Sequence, residues 1–192
     1  TTISISGQQL LWRGWTRYGD NDYDLAVVRL SAEATTNQWV GYRNIPQLVG
    51  WMSMGFVEPF NENNEYCTAG FPGDKTSSSG HWRLYAQCKR GAVEKAKNRI
   101  LKTTFDVAQG QSGSALYRAR HPSMSGPDNG DHGTMFDNDI AGKVQGVASS
   151  IRLRWATYTN VFARVNSDRF FQICDYITRT TPSGVFNPCH LV

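Results

Sequence analysis

The chain has 192 residues and a net charge of +4; 40% of it is apolar, with 18 Gly, 6 Trp, 8 Tyr and 9 Phe. That length makes one large domain or two small packed units, and the Gly-rich, aromatic-rich mix suits short strands joined by turns better than a helix bundle. No run reaches the length of a membrane span, Thr1 opens no signal-like segment, and the modest charge is spread along the chain, so neither a membrane nor a nucleic acid is an expected partner.

Thr1 to Tyr18 alternates weakly through Ile3, Ile5, Leu10, Leu11, Trp12 and Trp15, which predicts one or two strands. Gly19 to Asp22 is a turn cluster. Tyr23 to Leu30 is an apolar strand opened by Asp24, a residue that also suits a plain turn. Tyr42 to Pro46 and Leu48 to Val57 read as loop and strand, with Trp39 and Trp51 as core anchors. Cys67 to Lys75 is a strand ending in a turn, and Ser77 to Gly80 is a loop tip. His81 to Lys89 and Ala92 to Thr104 are strand candidates, although Ala92 to Leu101 has helix propensity. The basic run from Lys89 to Arg99 lacks the aromatic pattern of a nucleic-acid surface and reads as a solvated loop or edge.

Arg118 to Asp139 is polar and rich in Gly, Pro, Asp and Asn. His121, Asp131 and His132 lie there, but an exposed insertion loop is favoured over a metal clip; no metal and no cofactor is expected. Lys143 to Ile151 and Tyr158 to Val165 return to strand. Ser167 to Arg179 carries Phe170, Phe171, Ile173, Cys174 and Ile177 at helical spacing, with Ser167 as N-cap. Thr180 to Val192 is an irregular tail. Many strands and one terminal helix make a mainly β protein.

The cysteines are Cys67, Cys88, Cys174 and Cys189. No close pair has zinc-ligand spacing, and an even count in a loop-rich chain suggests two disulfides and a secreted, extracellular protein. Of three pairings, proximity favours Cys67–Cys88 and Cys174–Cys189.

Chemistry centres on Gly110-Gln111-Ser112-Gly113-Ser114. Glycines on both sides of a serine permit a tight loop whose N–H groups face one hollow, suited to a developing oxyanion, with the hydroxyl placed to attack a carbonyl. Alone, such a stretch is an ordinary turn signal.

Together with Asp24-Leu25-Ala26-Val27-Val28-Arg29-Leu30, Gly146-Val147-Ala148-Ser149-Ser150 and Tyr158 to Val165 followed by a helix, this loop resembles the chymotrypsin-like serine proteases. Gly-Gln-Ser-Gly-Ser and Phe71-Pro72-Gly73-Asp74 lean toward the glutamyl-endopeptidase branch. The resemblance implies a two-barrel fold with the site in the crevice between barrels. On it, residues 1–60 are the remainder of the first barrel and its connection, and 61–192 are the second barrel, C-terminal helix and tail. It implies Ser112 as nucleophile, Asp24 as the carboxylate that orients a catalytic histidine, and Gly110 and Ser112 N–H as the oxyanion hole. Ser149 should sit near Asp24 and line the cleft with Ser150. Asp106, six residues before Ser112, falls where trypsin-like members carry the pocket-floor aspartate that selects Lys or Arg, although it also suits a plain strand aspartate, and Ile151 falls where many have glycine and could narrow the pocket toward small side chains. Glutamate preference has little support, because Ala148 stands beside Ser149 where that branch usually has histidine. Gln111 replaces the aspartate that binds a freed N-terminus, so activation of any zymogen should take another route.

The family's histidine precedes its aspartate, whereas His81, His121, His132 and His190 all follow Asp24. Too few residues precede Leu30 for most of a barrel. Two explanations follow. A two-chain serine endopeptidase would take its histidine from a separate N-terminal chain of the same precursor and act on protein or peptide substrates. Alternatively, the chain is an inactive protease-fold binding module. An esterase built on a Gly-x-Ser-x-Gly elbow would need alternating strands and helices, which are missing.

Overall fold

The computed structural model describes residues 9–18, 21–28, 36–37, 43–44, 52, 54–76, 80–119, 143–154 and 157–180. Its strands are β1 Gln9–Leu11, β2 Ala26–Val28, β3 Thr36–Asn37, β4 Arg43–Asn44, β5 Glu65–Gly70, β6 Tyr85–Arg90, β7 Val93–Ala96, β8 Ile100–Thr103, β9 Ala115–Arg118, β10 Val144–Arg154 and β11 Thr157–Arg164; its helices are α1 Arg13–Tyr18 and α2 Ser167–Thr180, with a single 3-10 turn at Asn21–Tyr23.

Seven strands form one antiparallel sheet in the order β6-β5-β9-β10-β11-β8-β7. Its two edge strands, β6 and β7, are consecutive in the chain and separated only by Gly91 and Ala92. Gly91 has φ 65°, a backbone state that costs other residues about 1–2 kcal/mol. A sheet whose outermost strands are joined by two residues must curl back on itself, and it does so around Tyr66, Ala92, Val93, Leu101, Phe105, Leu116, Ala148 and Phe162. Helix propensity in Ala92–Leu101 is overridden because both strands of that stretch pair, Val93 with Thr103 and Ala96 with Leu101, burying Val93, Ile100 and Leu101.

A second cluster, Trp12, Leu25, Ala163 and Ile173, lies on the other side of β11, where Phe162 faces the first cluster and Ala163 the second. It joins α2 to the N-terminal segment, whose β1 and β2 form a separate two-stranded sheet. Strand alternation predicted only strands up to Tyr18, but Arg13–Tyr18 is helical. The three-residue spacing of Trp12 and Trp15 is helical, and the turn lets the buried Trp12 indole N–H reach Gln172 Oε1 at 2.7 Å.

The terminal helix forms as its spacing predicts, with one correction. Its N-cap is Asn166, not Ser167: Asn166 Oδ1 accepts the Arg169 N–H at 3.1 Å, while Ser167 Oγ donates to Glu58 Oε2 at 3.0 Å. Cys67 and Cys88 stand directly opposite each other on β5 and β6 and are bonded. Cys174 is also disulfide-bonded. Cys189, Trp39, Trp51 and the loop with His121, Asp131 and His132 lie outside the described residues.

Candidate active site

The serine loop continues the pairing of β9 with β10. Beyond Ala115, which faces Val147, the Gly113 N–H donates to Ala148 O at 2.9 Å and the Ala148 N–H donates to Ser114 O at 2.8 Å. Two glycines make the turn that leads into these rungs: Gly110 at φ 97° and Gly113 at φ 87°. A side chain at Gly110 would meet Phe71 O at 2.9 Å and the Trp82 ring at 3.0 Å, so the loop is packed down onto the Phe71–Gly73 turn, where the Gly73 N–H donates to Gln109 O at 2.7 Å.

Gln111 braces the loop from inside. It is 1% exposed, and its Oε1 accepts the Ala108 N–H at 2.8 Å. Ser112 is exposed at the crest. Among the described residues, the N–H groups of Gly110 and Ser112 have no acceptor, the condition expected of donors held ready for an external oxygen.

Asp24 enters from the N-terminal segment, just before β2. Its Oδ2 accepts the Ser149 hydroxyl at 2.6 Å, across 125 positions of sequence. Ser149 reaches it through a break in the sheet: pairing of β10 with β11 passes from Ala148–Phe162 to Ser150–Val161, leaving Ser149 as an extra, bulged residue. Bulges re-aim a side chain without ending a strand. Ala148 thus holds the serine loop while its neighbour Ser149 holds the carboxylate.

The other expected site residues divide. Ser150 and Ile151 pair with Val161 and Asn160 in the sheet. Asp106 is exposed, and its main chain is clamped by Gln87, which donates to Asp106 O at 2.7 Å and accepts the Asp106 N–H at 3.2 Å. The preceding Phe105 takes the inward position instead, at 2% exposure. His81 is exposed before β6, and His121, His132 and His190 lie outside the described residues.

Two buried arginines escaped the sequence reading. Arg164 donates to Lys97 O at 3.1 Å and Val57 O at 2.9 Å, beside Glu58 at 3.8 Å and over the Phe60 ring. Desolvation holds its guanidinium below the ordinary value, opposed by Glu58 and Tyr66. Arg169 donates through Nη1 to Arg99 O and Arg164 O, both at 2.7 Å, and through Nη2 to Asp22 O. Burial pushes its pKa down to about 10; Arg99 adds to that push, and Asp22 and Tyr23 oppose it. Each looks like a surface charge in sequence, because nothing local marks an arginine whose acceptors are backbone carbonyls far away.

No protein-family model matches this chain, and no curated protein matches it. Solved structures do share its architecture. A Glu endopeptidase in complex with MPD superposes with TM-score 0.62 at 19% identity, over 90% of this chain and 63% of that one. A thermostable serine protease from an extremophilic microorganism gives TM-score 0.55 at 14% identity, over 91% and 67%. An inactivated protease paralogue of the scabies mite gives 0.55 at 12%, over 92% and 69%. The chain therefore spans about 63% of the Glu endopeptidase's length. A curled antiparallel sheet ending in a helix, with these counterparts, identifies the chymotrypsin-like serine protease fold, with the glutamyl-endopeptidase branch represented among them.

Proposed function

We propose that this protein is a secreted serine endopeptidase that cleaves peptide bonds through an acyl-enzyme on Ser112, its catalytic histidine supplied by a separate N-terminal chain of the same precursor. The observation that carries this reading is the bond from Ser149 Oγ to Asp24 Oδ2, made one residue from the Ala148 rungs that hold the serine loop. It ties the Asp24 carboxylate to β10 one residue from Ala148, which bonds Gly113 and Ser114 next to the exposed Ser112.

In the proposed reaction the imidazole takes the Ser112 proton as the hydroxyl oxygen attacks the scissile carbonyl. Asp24 orients the ring and stabilises its positive charge. The Gly110 and Ser112 N–H groups receive the oxyanion, and losing one such donor typically costs about a hundredfold or more in rate. The intermediate collapses as the imidazolium gives its proton to the leaving amine; water, activated by the same ring, then releases the acyl group and restores the hydroxyl.

Support for a further segment that carries the histidine comes from length: the Glu endopeptidase chain has more than a third of its length outside the match. In this protein the exposed Leu11 and Val28, on β1 and β2, offer apolar surface for such a segment. A disulfide-bonded fold agrees with an extracellular setting.

A fluorophosphonate probe tests the reading. The assembled protein should be labelled, and Ser112→Ala should abolish labelling. A wild-type assembly that stays unlabelled favours the binding-module reading, for which the inactivated scabies mite paralogue is a structural precedent.

A further inference from the structure

Arg169 lies in the first turn of α2, 2% exposed, with its guanidinium spread over three separate parts of the chain. Arg99 belongs to the β7–β8 connection and Arg164 to the end of β11, while Asp22 belongs to the 3-10 turn two residues before Asp24. Beyond Asp24, Leu25 is buried with Trp12, Ala163 and Ile173, and its N–H donates to Tyr23 O at 2.8 Å. The Tyr23 ring lies 4.4 Å from the Arg99 guanidinium. The peptide that carries Asp24 is thus fixed before the carboxylate and after it.

We propose that Arg169 is the positioning residue for Asp24: from within the terminal helix it grips the Asp22 carbonyl and thereby fixes where the Asp24 carboxylate meets Ser149. This rests on the protease reading given above. A planar guanidinium has donors pointing in several fixed directions, so it can serve carbonyls on three segments at once; a lysine ammonium is a point charge and cannot span them. Methionine would withdraw the guanidinium from all three carbonyls, of which Arg99 O keeps the Arg164 N–H at 2.8 Å.

The test compares Arg169→Met, Arg169→Lys, Gln172→Leu, Ser149→Ala and the Arg169→Met/Ser149→Ala pair in the assembled protein. Gln172→Leu removes the bond to Trp12, another link between α2 and the N-terminal segment, without touching Asp22. Well below the melting temperature, Arg169→Met should slow fluorophosphonate labelling of Ser112 by roughly a hundredfold, as expected for a misplaced catalytic group. Lysine should not restore it, and Gln172→Leu should label close to the wild-type rate. Arg169→Met and Ser149→Ala act through one carboxylate, so the pair should lose no more than the worse single variant. Losses that multiply would overturn the proposal.

Amide hydrogen exchange at Leu25 provides a readout that needs no activity. Protection there should fall in Arg169→Met and hold in Gln172→Leu. If wild type is unlabelled, the protease reading fails, and Leu25 exchange still decides the part played by Arg169. Unchanged Leu25 protection in Arg169→Met overturns the positioning role whatever the labelling shows. Should Arg169→Met not fold, Arg169→Lys, which keeps the charge, carries the same exchange comparison.

Discussion

The hydroxyl of Ser149 donates to Asp24 Oδ2 at 2.6 Å, and it does so from a bulge where the pairing of β10 with β11 slips by one residue. A hydrogen bond to a charged group contributes about 1.5–3 kcal/mol. If that energy serves to orient Asp24, Ser149→Ala should slow Ser112 labelling by roughly 10–100-fold, since each 1.36 kcal/mol is about tenfold in rate. Labelling kinetics on the assembled protein measure it. An unchanged rate would detach this bond from the chemistry.

Gly110 and Gly113 both have positive φ but differ in surroundings. A Cβ at Gly113 meets open space, whereas one at Gly110 meets Phe71 O at 2.9 Å and Gly73 N at 3.1 Å. Gly113→Ala should cost only the backbone term, about 1–2 kcal/mol. Gly110→Ala adds overpacking for a sum of about 2–5 kcal/mol and should abolish labelling. Denaturant midpoints rank the two; equal losses would contradict the packing of the serine loop on the Phe71–Gly73 turn.

The Cys67–Cys88 bridge closes a loop with a sequence separation of 21. Chain-entropy reasoning puts the loss on replacing both cysteines with alanine at about 3 kcal/mol. Because β6 is an edge strand held by β5, the effect should concentrate in exchange of β6 amides. Denaturant unfolding gives the total, and a midpoint equal to wild type would show that strand pairing alone secures this edge.

Arg169 also makes a statement about pH. Its folded pKa is pushed down to about 10, so it remains charged through the neutral range in both folded and unfolded chains. Between about 10 and the ordinary arginine value, the unfolded chain holds more of this proton than the folded one. Stability from this group therefore rises with pH in that window and is flat below it. The stability gap between wild type and Arg169→Met should be constant from about pH 6 to 9 and open only in strong alkali. A gap that changes near neutrality would assign the titration to another group.

How much of this was legible in the sequence depends on the range of each interaction. The serine loop announced itself because its signal is local: glycines around a serine, then the apolar β9. Asp24 stood out at the mouth of a short apolar strand. Helix α2 was readable from apolar spacing, although its cap moved back to Asn166 because Glu58, 109 positions away, takes the Ser167 hydroxyl. Long-range effects were opaque. Nothing near Ser149 signals a bulge, which exists only relative to the register of β11. Nothing near Asp106 reveals that Phe105 takes the inward position. Gln111 read as the loss of a charge, whereas its amide braces the loop by accepting the Ala108 N–H. Arg169 had no signal, since its acceptors lie 70, 5 and 147 residues away.

The rungs that tie Gly113 and Ser114 to Ala148 carry one more implication. The serine loop and the partner of the Asp24 carboxylate are fastened to neighbouring residues of a single strand, so they travel as one body and need no internal rearrangement to find each other. On the two-chain reading, the only coordinate left to set is where a visiting imidazole lands. Latency would then be governed by encounter and dilution, and turnover at low concentration would scale with the abundance of the companion chain rather than with any slow refolding of this one.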